Sequence, residues 1–146
     1  GNRCREQRQE LSLVLVEPHI NDNFTEVGTE LAGNQVRRSL GRACAKLDQQ
    51  NVTLVSLGEN RTAAILSDCE RHAAVKVAQS VISILEASDV LPGASAATTT
   101  TALCAGVATV SGVPKNFDPM SLLESAERCL KAAHSCGIST VKSIEV

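Results

Sequence analysis

Apolar and polar positions along the chain follow two different periods, which predicts alternating strands and helices. Leu11–Glu17 is a continuous apolar run of strand length that Pro18 ends, and such a run is typical of a central strand buried on both faces. A helix is predicted next, over about Thr25–Leu47, because its apolar residues share one face. These residues are Val36, Leu40, Ala43 and Leu47.

The middle of the chain predicts a hairpin followed by a second helix. Two short apolar runs, at about 51–57 and 61–66, flank a polar turn, and this pattern is typical of a β-hairpin. From about 69 to 87, apolar residues recur every three to four positions, which predicts an amphipathic helix. The Leu91-Pro92-Gly93 sequence then interrupts the pattern.

The last third of the chain predicts a strand, a helix and a closing strand. Thr98–Val110 is rich in β-branched residues, and Thr140–Val146 has the length of a strand. Between them, Asp118-Pro119 begins a helix, because Asp caps a helix and Pro suits its first position. Gly137 is expected to end that helix.

The predicted order is βαββαβαβ, whose first six elements form the split βαβ, or ferredoxin-like, arrangement. The expected fold class is α+β, with a central, mainly antiparallel sheet flanked by helices. Because many unrelated functions share this arrangement, the order alone does not determine what the protein does.

Composition narrows the possible functions. The chain has 146 residues, 43% hydrophobic and 21% charged, with a net charge of −2, so one domain with a proper core is expected. The net charge gives no electrostatic reason to bind nucleic acid or an anionic membrane. Phe24 and Phe117 are the two aromatic residues, so base stacking on a single strand is not expected either.

Cysteine and histidine spacing predicts no metal centre. The six cysteines include no CxxC pair, and His19, His72 and His134 are far apart in sequence. The cysteines are therefore expected to be small buried hydrophobic residues in a reducing compartment. The sequence contains no signal peptide and no apolar run of 18 residues, so a cytoplasmic domain without direct membrane insertion is expected.

The first ten residues differ from the rest of the chain. Residues 1–10 are mostly charged or polar and are expected to form a linker or the end of an upstream helix. Residues 11–146 are expected to form the domain itself. This organisation suggests an excised module of a longer protein, whose other domains would be its partners.

Two C-terminal passages resemble a known family. Leu122–Ala133 has the sequence LLESAERCLKAA, and Cys104–Ala108 has the sequence CAGVA. They are similar to the LL..AD.AL..AK helix and the SIGVA strand of GGDEF domains, the catalytic modules of bacterial diguanylate cyclases. The resemblance extends from about Glu10 to Val146, and it implies the nucleotide cyclase-like version of the predicted fold.

The resemblance also implies where an active site would lie. Glu17 falls at the first strand-end aspartate of the family, a magnesium ligand. Gly58-Glu59-Asn60-Arg61-Thr62 falls on the signature turn, with one glycine retained and both acids lost. Arg61 reverses the charge that an acid would carry there. At 4 Å and an effective dielectric of 20, each unit of charge changed corresponds to about 4 kcal/mol.

Other family positions are also altered. Thr25 and Gly33-Asn34 fall on the residues that recognise guanine, and Asn34 lacks the carboxylate that would accept from two guanine N–H groups. His134 and Ile138 stand where a phosphate-binding lysine and an arginine would be. The vestigial nucleotide-binding candidates are Glu17, Asn34, Gly58, Glu59, Asn60 and Arg61. Glu17 is also the metal-binding candidate.

Phosphoryl transfer of this kind needs carboxylates that hold Mg²⁺ against its hydration. We therefore expect an inactive GGDEF-like regulatory, interaction or dimerisation module of a bacterial signalling protein, with no cofactor and with no residue assigned a catalytic role. Magnesium is expected only if activity is retained. One alternative is a switch that binds GTP or a nucleotide related to cyclic di-GMP. Another is an active cyclase that joins two GTP across a homodimer, and a third is a ferredoxin-like domain of other descent.

Simpler explanations apply to the same residues. Glu17 is also explained as a charged strand end, and Arg61 as a solvated residue on a hairpin strand. Asn34 is explained equally well as a polar residue on an exposed helix face.

Overall fold

The fold is described from a computed structural model, in residues 10–18, 26–49, 51–57, 61–87, 103–112, 117–136 and 140–146. These residues form five strands and three helices in the predicted order. They are β1 (Glu10–Pro18), α1 (Glu26–Lys46), β2 (Val52–Ser56), β3 (Thr62–Ser67), α2 (Arg71–Ala87), β4 (Leu103–Ser111), α3 (Pro119–Ser135) and β5 (Thr140–Glu145).

The five strands make one sheet, with β1 at its centre. The order across the sheet is β2-β3-β1-β4-β5. Every neighbouring pair is antiparallel except β4 and β5, which are parallel. The predicted α+β class and the mainly antiparallel sheet are therefore confirmed.

Helices cover both faces of the sheet, because the side chains of β1 alternate between two cores. Val14 and Val16 face the core that α1 and α2 close. Leu13 and Leu15 face the second core, which α3 closes with residues that include Leu122, Ala126 and Leu130. With apolar neighbours on both faces, β1 needs the continuous apolar sequence that predicted a central strand.

The third helix packs unusually close to the sheet. A Cβ atom added to Gly106 of β4 would collide with the carbonyl oxygen of Ala126 and would lie 2.5 Å from the backbone nitrogen of Leu130. A side chain at this position would therefore push α3 away from β4. The absence of a side chain at Gly106 therefore allows α3 to lie this close to β4.

Most element boundaries agree with the sequence prediction, with local exceptions. The second helix begins at Arg71, later than position 69, because Asp68 adopts a left-handed turn (φ 54°) after β3. Asp118 caps α3 as predicted, accepting from the backbone N–H of Met120. The same helix ends at Ser135 with Cys136 as its C-cap. Glu10, which was predicted to belong to the linker, instead begins β1, because it pairs with Ser111 of β4. The described residues do not include Gly137, positions 98–102 of the predicted strand, or residues 1–9 of the predicted linker.

The cysteines that the structure describes are all free thiols. Four are buried, namely Cys44, Cys69, Cys104 and Cys129, whereas Cys136 is exposed. Burial raises the pKa of each of the four buried thiols, that of Cys69 to about 11. The expected role as small core residues is confirmed for these four. Within the described ranges, no helix is both long enough and apolar enough to cross a bilayer.

Candidate functional site

The candidate site lies where β1 ends and β3 begins. In the antiparallel register of these strands, Val16 pairs with Thr62. The next positions along the same register are Glu17 and Arg61, so the sheet itself places them opposite each other. A backbone hydrogen bond from Leu57 to the carbonyl oxygen of Arg61, 2.8 Å long, closes the hairpin beside them.

Two residues of α3 complete the site from above the sheet. Glu127 and His134 are seven positions apart, which places them two turns apart on one face of the helix. Arg61 donates from Nε to Glu17 Oε2 at 3.1 Å and from Nη1 to Glu127 Oε2 at 3.3 Å. Glu17 Oε1 lies 2.7 Å from His134 Nε2. We call these four residues the Glu17 cluster.

The side chains of the cluster differ in how far they are exposed to solvent. The side chain of Glu17 is 16% exposed and that of Arg61 is 30% exposed, whereas Glu127 is 46% exposed. The Glu17–Arg61 contact is therefore the better shielded of the two ion pairs, and water and salt screen the Glu127 contact more strongly. Both oxygens of the Glu17 carboxylate already have partners from the protein.

The donor set does not fit a magnesium ion. Mg²⁺ requires oxygen ligands in near-octahedral geometry at 2.0–2.1 Å, and the carboxylates must be available to it. Here the Arg61 guanidinium contacts the carboxylates of both Glu17 and Glu127 and neutralises part of their charge. Among the residues that the structure describes, no group of three His, Cys, Asp or Glu side chains is arranged to hold a metal.

Among the other candidate site residues, Asn34 is described by the structure, and it lies on a different element from the cluster. Asn34 lies on α1, is exposed, and accepts from Arg37 Nη1 at 3.2 Å. The cluster, by contrast, is built from β1, the residue before β3 and α3. Thr25, Gly58, Glu59, Asn60 and Ile138 lie outside the described residues, and so does His19.

The sequence analysis did not identify Glu127, and it did not predict the carboxylate contacts of His134 and Arg61. It gave Arg61 as a vestigial nucleotide-binding candidate or, more simply, a solvated hairpin residue, whereas the structure gives Arg61 two carboxylate partners. The spacing of Glu127 and His134 on one helical face was a usable signal, but nothing local indicated that this face lies over the end of β1. That information comes from the packing of α3 on β1 and β4.

Comparisons of sequence and of structure gave different results. No protein-family model and no curated protein matches the sequence. Among solved structures, the active GGEEF domain of a diguanylate cyclase from Vibrio cholerae is similar, with a TM-score of 0.66 and 16% identity over 97% of this chain and 87% of that one. The GGDEF domain of YfiN from Pseudomonas aeruginosa has a TM-score of 0.64 and 20% identity over 99% of this chain and 88% of that one.

A third solved structure contains a partner protein. It is the diguanylate cyclase SiaD from Pseudomonas aeruginosa in complex with its activator SiaC, with a TM-score of 0.67 and 13% identity. The match covers 96% of this chain and 51% of that one. At these identities the likeness is one of fold, and the chain has the nucleotide cyclase-like fold of GGDEF domains.

Proposed function

We propose that this chain is a GGDEF-like signalling module without cyclase activity, which acts as a regulatory or interaction domain in a bacterial protein. The observation that supports the proposal is the pairing of Arg61 with both Glu17 and Glu127. The acid at the end of β1 would be the magnesium ligand of an active enzyme. In this chain it is bound by an internal cation instead.

The electrostatics of the Glu17 cluster explain why an arginine in place of a metal ion disfavours catalysis. A divalent cation enters a site when the carboxylates there offset the loss of its hydration. Arg61 supplies a positive charge that is already part of the protein and needs no dehydration at the moment of binding. A magnesium ion would have to displace this guanidinium and would also face its repulsion.

The test is direct. The chain is incubated with GTP and Mg²⁺ or Mn²⁺, and the products are separated by chromatography to detect cyclic di-GMP. An active GGEEF domain under identical conditions serves as the positive control. We expect no product above the background of the Glu17→Ala variant. Clear turnover that Glu17→Ala abolishes would contradict the proposal and would favour an active, paired cyclase.

A nucleotide-binding switch is the second candidate. Arg61 remains 30% exposed, and its contacts with the cluster engage Nε and Nη1 of a guanidinium that carries three donor nitrogens. A phosphate oxygen is a suitable acceptor for such a group. Calorimetric titration with GTP and with cyclic di-GMP separates the candidates. Heat that Arg61→Gln removes would favour the switch, and no heat above dilution would favour the module without a ligand.

A further inference from the structure

The outer face of α1 is strongly basic, although the whole chain has a net charge of −2. Arg38, Arg42 and Lys46 are exposed and follow one another at intervals of four residues, or about one helical turn. Arg37 lies beside them and is half-buried. No Asp or Glu occurs between Asn34 and Leu47 to offset these four cations.

The strand next to this helix forms an edge of the sheet in the part of the chain that the structure describes. β2 is the outermost strand and pairs with β3, and no other strand in the described ranges pairs with its outer side. Its residues are VTLVS, without a charge or a proline. Leu54, Val55 and Leu57 are each more than a third exposed. Soluble proteins normally protect such edges with charged residues, prolines or bulges.

The opposite edge of the sheet differs from β2. β5 carries Lys142 and Glu145, which are both exposed. Charged side chains on an edge strand disfavour the addition of a further strand. The difference between the two edges singles out β2 as the edge able to accept one.

The basic helix and the apolar edge form one continuous surface. A Cβ added to Gly41 of α1 would lie 3.9 Å from Leu54 Cδ1, so the two elements touch there. Arg37 lies one turn before Gly41 on the same face of the helix. Its Nε is buried and has no hydrogen-bond partner among the described residues. Because Nε is buried, a partner can reach this guanidinium only through its Nη atoms, one of which already donates to Asn34.

We propose that the surface formed by Arg37, Arg38, Leu54 and Val55, the α1–β2 surface, binds an acidic, extended segment of a partner protein. The segment adds a strand to the outer edge of β2 through backbone hydrogen bonds. Leu54 lies on the face of the sheet that α1 covers and Val55 on the other face. The carboxylates of the segment therefore lie on the α1 face beside Leu54 and accept from the arginines, and its apolar side chains lie on the other face and cover Val55. This inference rests on the proposed function, because it specifies the partner of an interaction module.

Charge complementarity selects this occupant over a second copy. Antiparallel pairing of two β2 edges about a two-fold axis would place both α1 helices side by side on one face of the joined sheet. Their cations would then repel each other. Nucleic acid would satisfy the arginines, but it would gain nothing from the uncharged backbone edge or from the exposed Leu54 and Val55.

The test uses two fluorescently labelled ten-residue peptides, one alternating Glu with Val and the other alternating Lys with Val. Binding to the whole chain is followed by fluorescence anisotropy. We expect the acidic peptide to bind at least tenfold more tightly than the basic one. N-methylation of alternate peptide nitrogens removes backbone donors and should weaken binding at least tenfold. Arg37→Gln together with Arg38→Gln should weaken it at least fivefold.

A matched double variant controls for charge. Arg128→Gln with Lys131→Gln removes two cations from exposed positions of α3 on the other face of the sheet, and it should leave the affinity within twofold. Circular dichroism confirms that each variant is folded. Equal affinity for the two peptides, undiminished binding of the N-methylated peptide, or an equal loss in the control variant would overturn the inference.

Two competing occupants are tested alongside. A single-stranded oligonucleotide that binds more tightly than the acidic peptide and depends on Arg37 and Arg38 would overturn the inference. So would a dimer in sedimentation that Val55→Lys dissociates. Cyclic di-GMP synthesis is measured separately, so a failure of the proposed function is distinguishable from a failure of peptide binding.

Discussion

The pair formed by Glu17 and Arg61 should be energetically coupled more strongly than an ordinary surface ion pair. At 3.1 Å and an effective dielectric of 20, their direct attraction is about 5 kcal/mol. Desolvation and the ordering of two long side chains offset most of it. Exposed pairs contribute roughly 0.2–1 kcal/mol, and loss of one partner from a buried pair costs roughly 3–5 kcal/mol. The intermediate burial here places the expected coupling at about 1–2 kcal/mol.

A double-mutant cycle measures this coupling. Glu17→Ala, Arg61→Ala and the double variant are unfolded in urea, and the coupling is the departure of their free energies of unfolding from additivity. A second cycle on Arg61 and Glu127 is the internal control. Because Glu127 is 46% exposed and lies 3.3 Å from its partner, its coupling should be about 0.5 kcal/mol. It should also fall further in 1 M NaCl.

The test depends on which of the two coupling energies is larger. A Glu17 coupling equal to or smaller than the Glu127 coupling would refute the reasoning, because burial and distance would then not govern the cluster. Non-parallel urea slopes would show that a variant changed the denatured ensemble, and the cycle would then be repeated with Glu17→Gln.

Three further predictions concern the framework. Gly106→Ala should lower the free energy of unfolding by about 3 kcal/mol or more, measured in urea, because its Cβ would meet the backbone of α3. In the control variant Gly41→Ala, the added Cβ makes an ordinary contact, and the free energy of unfolding should rise by about 0.5–1 kcal/mol. Equal changes in the two variants would contradict the packing argument. Asp118→Ala should cost about 1 kcal/mol, and an unchanged thermal midpoint would argue against the cap. Burial raises the pKa of the Cys69 thiol from the ordinary 9.0 to about 11 in the folded protein. The contribution of this thiol to the free energy of unfolding is therefore present below pH 9 and is lost as the pH rises through 11. The free energy of unfolding, measured in urea, should then fall by about 2–3 kcal/mol between pH 9 and pH 11. That of the Cys69→Ala variant should fall less.

Much of the fold could be predicted from the sequence because its signals are local. The apolar run before Pro18 indicated the central strand, and Asp118-Pro119 indicated the start of α3. The sequence could not show the strand order across the sheet or the close approach of α3 at Gly106, because these depend on packing between distant segments. The start of the second helix was placed slightly early, since the left-handed turn at Asp68 has no clear sequence signal.

The sequence indicated two residues of the site, Glu17 and Arg61, but not the contacts that α3 makes with them. The resemblance to GGDEF domains placed Glu17 and Arg61 in one site, and the antiparallel register of β1 and β3 brings them opposite each other. Glu127 contacts Arg61 from 66 positions away, and His134 contacts Glu17 from 117 positions away. Contacts at such separations leave no periodic pattern in a single sequence. The partners of the cluster therefore required the structure.

The arrangement of the cluster also bears on whether its proposed loss of chemistry is easily reversed. The Glu17 carboxylate holds β1 to the start of β3 through Arg61 and to α3 through His134. The group that would bind a metal ion is thus part of what joins three elements. Removing Arg61 alone would leave two carboxylates facing a gap without their shared cation, which lowers stability before it offers any metal site. Arg61→Glu would remove the guanidinium and add an acid in one step, but it would place a third carboxylate beside Glu17 and Glu127 with no cation between them, which costs still more stability.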